Sequence, residues 1–386
     1  MGYALYTGDC REVMPKHGMV NLVDAVVTDP PYGLGFMGKD WDHGVPGVGF
    51  WESVMAAMKP GAHLLAFGGT RTFHRLTVAI EDAGFEVRDC LMWVYGSGFP
   101  KSLDVSKAID KAAGAEGKKV SGGVGPAWQR NIGNTRPWME EENHQIDGPN
   151  AVTAPAKEWE GWGTALKPAW EPIILARKPL EGTVANNVLE HGVGGLNIDG
   201  CRVGTEHRHN PPVGAHVNSM MPYGGKDGPG TDIQGRWPAN LIHDGSDEVV
   251  GLFPESKSTT IKANPQPANR HGTALELNTG KGAWMDGLGG GYDDKGSAAR
   301  FFYCAKASKS DRGIDNNHPT VNPLQLMRYL CRLITPPNGL ILDPFIGSGS
   351  TLIAATLEGF HSIGIDTEPK YTEIARQRLS EVKMPV

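Results

Sequence analysis

Val23-Asp24-Ala25-Val26-Val27-Thr28-Asp29-Pro30-Pro31-Tyr32 begins as a β-branched run and ends in a rigid turn. The run Val23 to Val27 predicts a short buried strand bounded by turn residues. A carboxylate at the carboxyl end of a buried parallel strand points into the crevice where open α/β sheets bind ligands. Pro30 and Pro31 fix φ and lack N–H groups, so their carbonyls are rigidly held acceptors. Tyr32 adds a flat π-face beside the carboxylate of Asp29 and the carbonyl of Pro30. That set suits a planar ring bearing an exocyclic NH2: the ring stacks, and the amine donates to both acceptors. The plainer reading of the same residues is a proline-rich turn in which Asp29 caps the strand.

Outward from this stretch, strands and helices alternate. Leu5 to Cys10 reads as a short strand ending in a Gly-Asp turn, with Asp9 placed to cap the helix that follows. Phe50 to Met58 predicts a helix stopped by Lys59-Pro60-Gly61, and Ala62 to Phe67 the next buried strand. Arg71 to Ala83 is amphipathic and closed by Gly84, and Glu86 to Tyr95 resumes as a strand. The alternation predicts a doubly wound α/β core. Between Asp29 and the first helix, Gly33 to Asp42 is glycine-rich, with Phe36, Met37 and Trp41 able to cover a bound group.

The far end repeats the pattern. Gly339 to Asp343 predicts a strand, Phe345 to Gly349 a glycine turn, and Ser350 to Glu358 a helix. His361 to Ile365 is then a strand ending at Asp366, and Pro369 to Leu379 a last helix. Gly347 and Gly349 allow close backbone approach, and the helix amino terminus can receive a carboxylate. Asp366 lies about 20 residues past the turn, where an acidic side chain binds ribose hydroxyls in dinucleotide folds. The turn lacks the third glycine of a pyrophosphate-binding fingerprint.

The chain has 386 residues, room for one large domain with an insertion or for two domains. Hydrophobic residues make up 39%, enough for a core, and no apolar run is long enough to span a membrane. No signal peptide is legible at the amino terminus, and five scattered cysteines form no Cys-x-x-Cys pair, which fits a reducing compartment. Cys201, His207, His209 and His216 match no common zinc spacing, so no metal is expected. Residues 114–163 and 181–312 have weak periodicity and read as long loops, separated by a strand at Ile173 to Ala176. The net charge of −6 does not by itself suggest nucleic acid. Residues 251–312 nevertheless carry nine Lys or Arg against six Asp or Glu, interleaved with Trp284, Tyr292, Phe301, Phe302 and Tyr303. That mixture suits contact with a phosphate backbone.

Asp29-Pro30-Pro31-Tyr32 resembles the catalytic motif of the amino-methyltransferases, which methylate adenine N6 or cytosine N4 in DNA. Leu342-Asp343-Pro344-Phe345-Ile346-Gly347-Ser348-Gly349-Ser350-Thr351 resembles the same family's cofactor motif. The order, catalytic motif first and cofactor motif last, is that of the family's β class. The resemblance implies a Rossmann-like, doubly wound methyltransferase sheet in circularly permuted order. Residues 1–110 would form the catalytic half, 111–312 an irregular target-recognition insertion (with a core strand inside 166–180), and 313–386 the cofactor-binding half. It implies S-adenosylmethionine as cofactor, leaving as S-adenosylhomocysteine, with Asp343, Phe345, Gly347, Gly349, Ser350 and Asp366 as cofactor-binding residues. Asp9 would lie near the cofactor adenine. Phe99 would join the wall of the base pocket. His318-Pro319-Thr320-Val321-Asn322-Pro323 is similar to the motif that meets the cofactor's methionine end. Thr320 is the candidate there, while Asn322 stands where the family has lysine.

The implied activity is methyl transfer to a flipped base in double-stranded DNA. Asp in the first motif position favours adenine N6, with cytosine N4 as the alternative. A homodimer is implied, a cognate restriction endonuclease is admitted as a partner, and a cytoplasmic, DNA-associated location follows. A cytosine-C5 enzyme would need a Pro-Cys pair, which is absent. A dinucleotide-dependent oxidoreductase would leave Asp29 to Tyr32 unexplained, and an inactive DNA-binding protein would need neither motif.

Overall fold

Val23–Thr28, buried at every position, forms a strand inside a nine-stranded sheet. The computed structural model describes residues 2–34, 44–100, 102–115, 119–121, 145–147, 151–210, 231–257, 295–306, 311 and 321–382. The sheet strands are β1 (Tyr3–Thr7), β2 (Val23–Thr28), β3 (Met58–Phe67), β4 (Glu86–Val94), β5 (Trp170–Arg177), β6 (Leu241–His243), β7 (Tyr303–Cys304), β8 (Leu340–Asp343) and β9 (His361–Asp366). Their order is β1-β9-β8-β2-β3-β5-β4-β6-β7. Only β5 runs antiparallel to its neighbours, β3 and β4; every other pairing in the sheet is parallel.

Helices cover both faces, as the alternation of strand residues demands. The principal helices of the chain are α1 (Cys10–Lys16), α2 (Val48–Ala57), α3 (Phe73–Asp82), α4 (Val105–Ala112), α5 (Val184–His191), α6 (Leu324–Ile334), α7 (Ser350–Glu358) and α8 (Pro369–Ser380); α4 lies outside the unit that holds the sheet. Leu64, Ala66, Ile174 and Ala176 pack toward Val13 and Met14 of α1, Trp51 of α2 and Ile80 of α3. Their alternates Ala25, Val27, Leu65, Phe67, Ile173 and Leu175 pack toward Leu326, Met327 and Leu330 of α6. Strands buried on both sides are what parallel sheets require. Buried Asp24 is paired: Lys59 Nζ reaches Oδ1 at 2.6 Å and the Leu340 N–H reaches Oδ2 at 2.7 Å.

By internal contacts, Met1–Gly96 and Trp170–Val386 make one unit and Ser97–Ala169 another. Within the smaller unit, the Asp110 carboxylate on α4 accepts the Val152 and Thr153 N–H groups at 2.8 and 3.0 Å and so fixes the turn before Ala154–Glu158. Phe99 belongs to that unit and is exposed. No helix among the described residues is long and apolar enough to cross a membrane.

Two expectations are corrected. Lys59-Pro60-Gly61 does not stop a helix ahead of a separate strand; β3 already starts at Met58. Its register with β2 jumps from Val23↔Met58 to Ala25↔His63, so the Pro-Gly pair forms a bulge. The bulge is held from outside, by Asn187 Nδ2 donating to the Pro60 carbonyl at 3.0 Å. A side chain at Gly61 (φ +77°) would collide with that asparagine. The span 181–312 is not wholly irregular either, since β6 and β7 extend the main sheet beyond β4. The core strand expected inside 166–180 is β5.

Candidate active site

Asp29 follows β2 directly, at the carboxyl edge of the parallel strands. Water reaches it, yet protein surrounds it on nearly every side, as at the floor of a narrow crevice. Burial raises its pKa, while hydrogen bonds from Asn322 and Tyr32 pull the other way. Asn322 Nδ2 donates to Asp29 Oδ2 at 3.0 Å, across 293 residues of chain. Pro30 is buried and Pro31 and Tyr32 half-buried, so the whole four-residue motif lines the crevice. The tyrosine is seated by its own backbone: Thr72 Oγ1 donates to the Tyr32 carbonyl at 2.7 Å. Gly69 completes the seat, because a Cβ there would stand 3.1 Å from the Tyr32 ring.

Glu171, unremarked in the sequence, joins this group. As the second residue of antiparallel β5, it lies at the same end as the carboxyl termini of β3 and β4. Tyr95 donates its hydroxyl to Glu171 Oε1 at 3.2 Å, and Tyr32 lies close enough to both Glu171 and Asp29 to feel their charges. Burial, reinforced by the Asp29 charge, pushes Glu171 up to about 7. The only sequence signal was an acid entering a strand within Lys167-Pro168-Ala169-Trp170-Glu171-Pro172. Asn322, read as a departure from the family lysine, is the residue that holds Asp29.

The glycine turn lies one strand away, after β8. Thr28 Oγ1 donates to Asp343 Oδ1 at 2.8 Å, and the Phe345 N–H donates to the same oxygen at 3.1 Å. Asp343 is 2% exposed; burial pushes it up to about 6 against those hydrogen bonds. It therefore ties the end of β2 to the glycine turn. Phe345 stacks on Phe50 of α2 with ring centres 4.6 Å apart. Gly347 takes φ +50° and donates its N–H to Asp366 Oδ2 at 3.0 Å; the Glu368 N–H donates to Oδ1 at 2.9 Å. Asp366 is thus fixed at the end of β9 with lone pairs remaining on both oxygens, a fit for a ribose diol.

Other expectations land differently. Gly349 (φ +83°) is required by packing: a Cβ would come within 2.9 Å of Ala375 on α8. Ser350 faces inward, 3.4 Å from Arg378 Nη1, which also takes Ser348 Oγ at 3.0 Å. Asp9 caps α1 by accepting the Arg11 N–H at 2.9 Å and pairs with the Arg11 guanidinium, which holds its carboxyl below the usual range. Asp9 lies two residues past Thr7, the residue paired with Asp366, so it stays at the same edge of the sheet. Thr320, Phe36, Met37 and Trp41 lie outside the described residues.

The N6_N4_Mtase family model, described as DNA methylase, matches residues 23–377. Type II methyltransferase M.HindIII of Haemophilus influenzae is 22% identical over 325 residues, covering 83% of this chain and 64% of that protein. Type II methyltransferase M2.DpnII of Streptococcus pneumoniae is 45% identical over 62 residues, 16% of this chain and 23% of that protein. The chain thus spans less than two thirds of the length of either relative. The crystal structure of the M1.HpyAVI–SAM complex overlaps 98% of both chains at 16% identity, with a TM-score of 0.42. A match running from the strand that carries Asp29 to the last helix places the chain in the DNA methylase family.

Proposed function

We propose that the protein transfers a methyl group from S-adenosylmethionine to the exocyclic N6 of adenine in double-stranded DNA, after the base has left the helix. The observation that carries this reading is a positioned acceptor next to a glycine turn: Asp29 held by Asn322, with Thr28 and Asp343 joining its strand to Phe345. Bound S-adenosylmethionine would supply the electrophilic methyl group, with Asp366 on its ribose hydroxyls and Gly347 beside it. Asp343 serves by holding the turn.

An exocyclic amine is a poor nucleophile because its lone pair is delocalised into the ring. With Asp29 and the Pro30 carbonyl each accepting one N–H, the nitrogen pyramidalises and its lone pair is freed for in-line attack. Tyr32 stacks on the extruded ring. The contribution of these residues is placement and electrostatics, with no covalent enzyme intermediate. Asp in the first motif position favours adenine over cytosine. Tritiated methyl transfer to DNA, followed by nucleoside analysis, tests the reading. N6-methyladenine is expected; N4-methylcytosine would reassign the base, and no transfer would sink the activity.

The region 111–312 is assigned to target recognition. Within it Arg202 lies over Trp237 at 5.5 Å and Arg236 over Phe301 at 4.3 Å, pairs suited to a phosphate backbone. Two protomers on one duplex would double such contacts and steepen the salt dependence of binding. Light scattering that gives a single 41.5 kDa chain, free and on DNA, would overturn the dimer.

A further inference from the structure

The crevice holds more acid than amine positioning requires. Asp29 and Glu171 both lie near Tyr32, and Tyr95 approaches Glu171 from the end of β4. Trp93 is the direct cross-strand partner of Glu171, and its Nε1 is buried without a partner among the described residues. Trp93 and Tyr95 lie with ring centres 4.9 Å apart. A carboxyl group, two phenols and an indole N–H thus line one side of the site, next to the acceptor assigned to the amine.

Two carboxyl groups close enough to repel in a desolvated crevice do not both ionise readily; together they favour a single negative charge. Asp29 keeps that charge, because Asn322 stabilises its ionised form, whereas burial keeps Glu171 protonated up to about neutrality. The groups acting on Glu171 are Asp29, Tyr32 and Tyr95, none of them cationic. The pair therefore presents an acceptor and, beside it, a donor. Adenine and cytosine each carry an amine beside an unprotonated ring nitrogen, which is the complementary pattern. Guanine sets its amine between a ring N–H and the sugar-side N3, so its Watson–Crick edge offers no acceptor next to the amine, and thymine has no amine.

We propose that Glu171, as the neutral acid, donates a hydrogen bond to the ring nitrogen next to the target amine, so that Asp29 and Glu171 jointly read an amino base. This rests on the assignment of Asp29 to the amine. The bond positions the ring in its plane while Tyr32 holds its face. Tyr95 keeps the Glu171 carboxyl turned so that its proton meets the ring, and the Trp93 N–H is a second donor along the same side.

The test uses the full-length protein and duplexes carrying the target base or its deaza analogue: 1-deazaadenine for adenine, or 3-deazacytosine if the product is N4-methylcytosine. The analogue keeps the amine and loses the ring acceptor. Wild-type kcat/KM should fall about tenfold on the analogue, the loss of one hydrogen bond. Glu171→Ala should lose a similar factor on the normal base and nothing further on the analogue. Glu171→Gln keeps a donor that does not titrate. It should retain most activity and abolish the fall in wild-type rate expected as pH rises through neutrality.

Equal analogue penalties in wild type and Glu171→Ala, or an unchanged alkaline fall in Glu171→Gln, overturn the proposal. If Glu171→Ala does not bind S-adenosylmethionine in calorimetry, the Gln profile and the wild-type analogue penalty decide it alone. Asp29→Ala in parallel isolates the underlying assignment: methylation surviving that change sinks the amine reading, and the ring contact with it.

Discussion

Asn322 shows what a single residue does here that a motif comparison leaves open. Its amide donates one hydrogen bond to Asp29, orienting the carboxylate without adding the positive charge a lysine would bring. Asn322→Ala should therefore lower kcat by about tenfold or more, the value of a hydrogen bond to a charged group, with little change in cofactor affinity. Stopped-flow methylation alongside calorimetry checks it; an unaltered kcat removes Asn322 from the machinery. Asp29→Ala and Asp366→Ala should separate more sharply. The first abolishes methyl transfer while S-adenosylmethionine still binds, and the second weakens the cofactor by about 1.5–3 kcal/mol. Calorimetry showing the reverse pattern would exchange their roles. Asp29 and Asp366 were legible because each ends a strand whose β-branched run and following turn are local features. Glu171 was not, because its place depends on β5 entering the sheet antiparallel, and strand direction is a tertiary outcome that one strand's composition does not encode.

Elements carry the next level of the site. α6 begins just after Asn322 and is held to α7, the helix of the glycine turn, by Glu358. That carboxylate, with its side chain 9% exposed, takes Arg328 Nε at 2.6 Å and Arg332 Nε at 2.7 Å. Burial alone would raise its pKa, but the hydrogen bonds and charges of both arginines carry it below the usual value. Its contribution is thus present above the unfolded-state pKa and lost as pH falls through the folded one. Glu358→Ala should cost about 1–3 kcal/mol of unfolding free energy in urea, less than a fully buried pair because both arginines reach solvent. No change in the midpoint would show that α6 and α7 are held by apolar packing alone. Helix and strand identities were readable at both ends of the chain from periodicity and caps. Lys59-Pro60-Gly61 misled because its consequence is set by Asn187, far along the chain, which turns a local stop into a bulge.

At the scale of the molecule, the same sheet edge that gathers the candidate site acids also makes them a liability. Asp29, Glu171, Asp343 and Asp366 are all raised above their ordinary values, each chiefly by burial. A raised acid binds its proton more tightly when folded, so its contribution is complete below the unfolded-state pKa and is lost as pH rises through the folded one. For Glu171 that window runs from its ordinary 4.5 to about 7, and for Asp343 from 3.8 to about 6. His63 opposes them, since burial lowers it to about 4 and its contribution is lost as pH falls from its ordinary 6.5. The difference between wild type and Glu171→Gln isolates one group from this sum. Relative to the variant, wild type should lose stability on the order of 3 kcal/mol between pH 4.5 and 7.5, the full linkage of a shift that size. The loss should shrink in an Asp29→Asn background, because the Asp29 charge is part of what raises Glu171. Urea melts at pH 4.5, 6 and 7.5 measure this directly. A wild-type–minus–variant difference that stays constant with pH would mean that Glu171 is ionised throughout, and the crevice would then hold two charges instead of an acceptor and a donor.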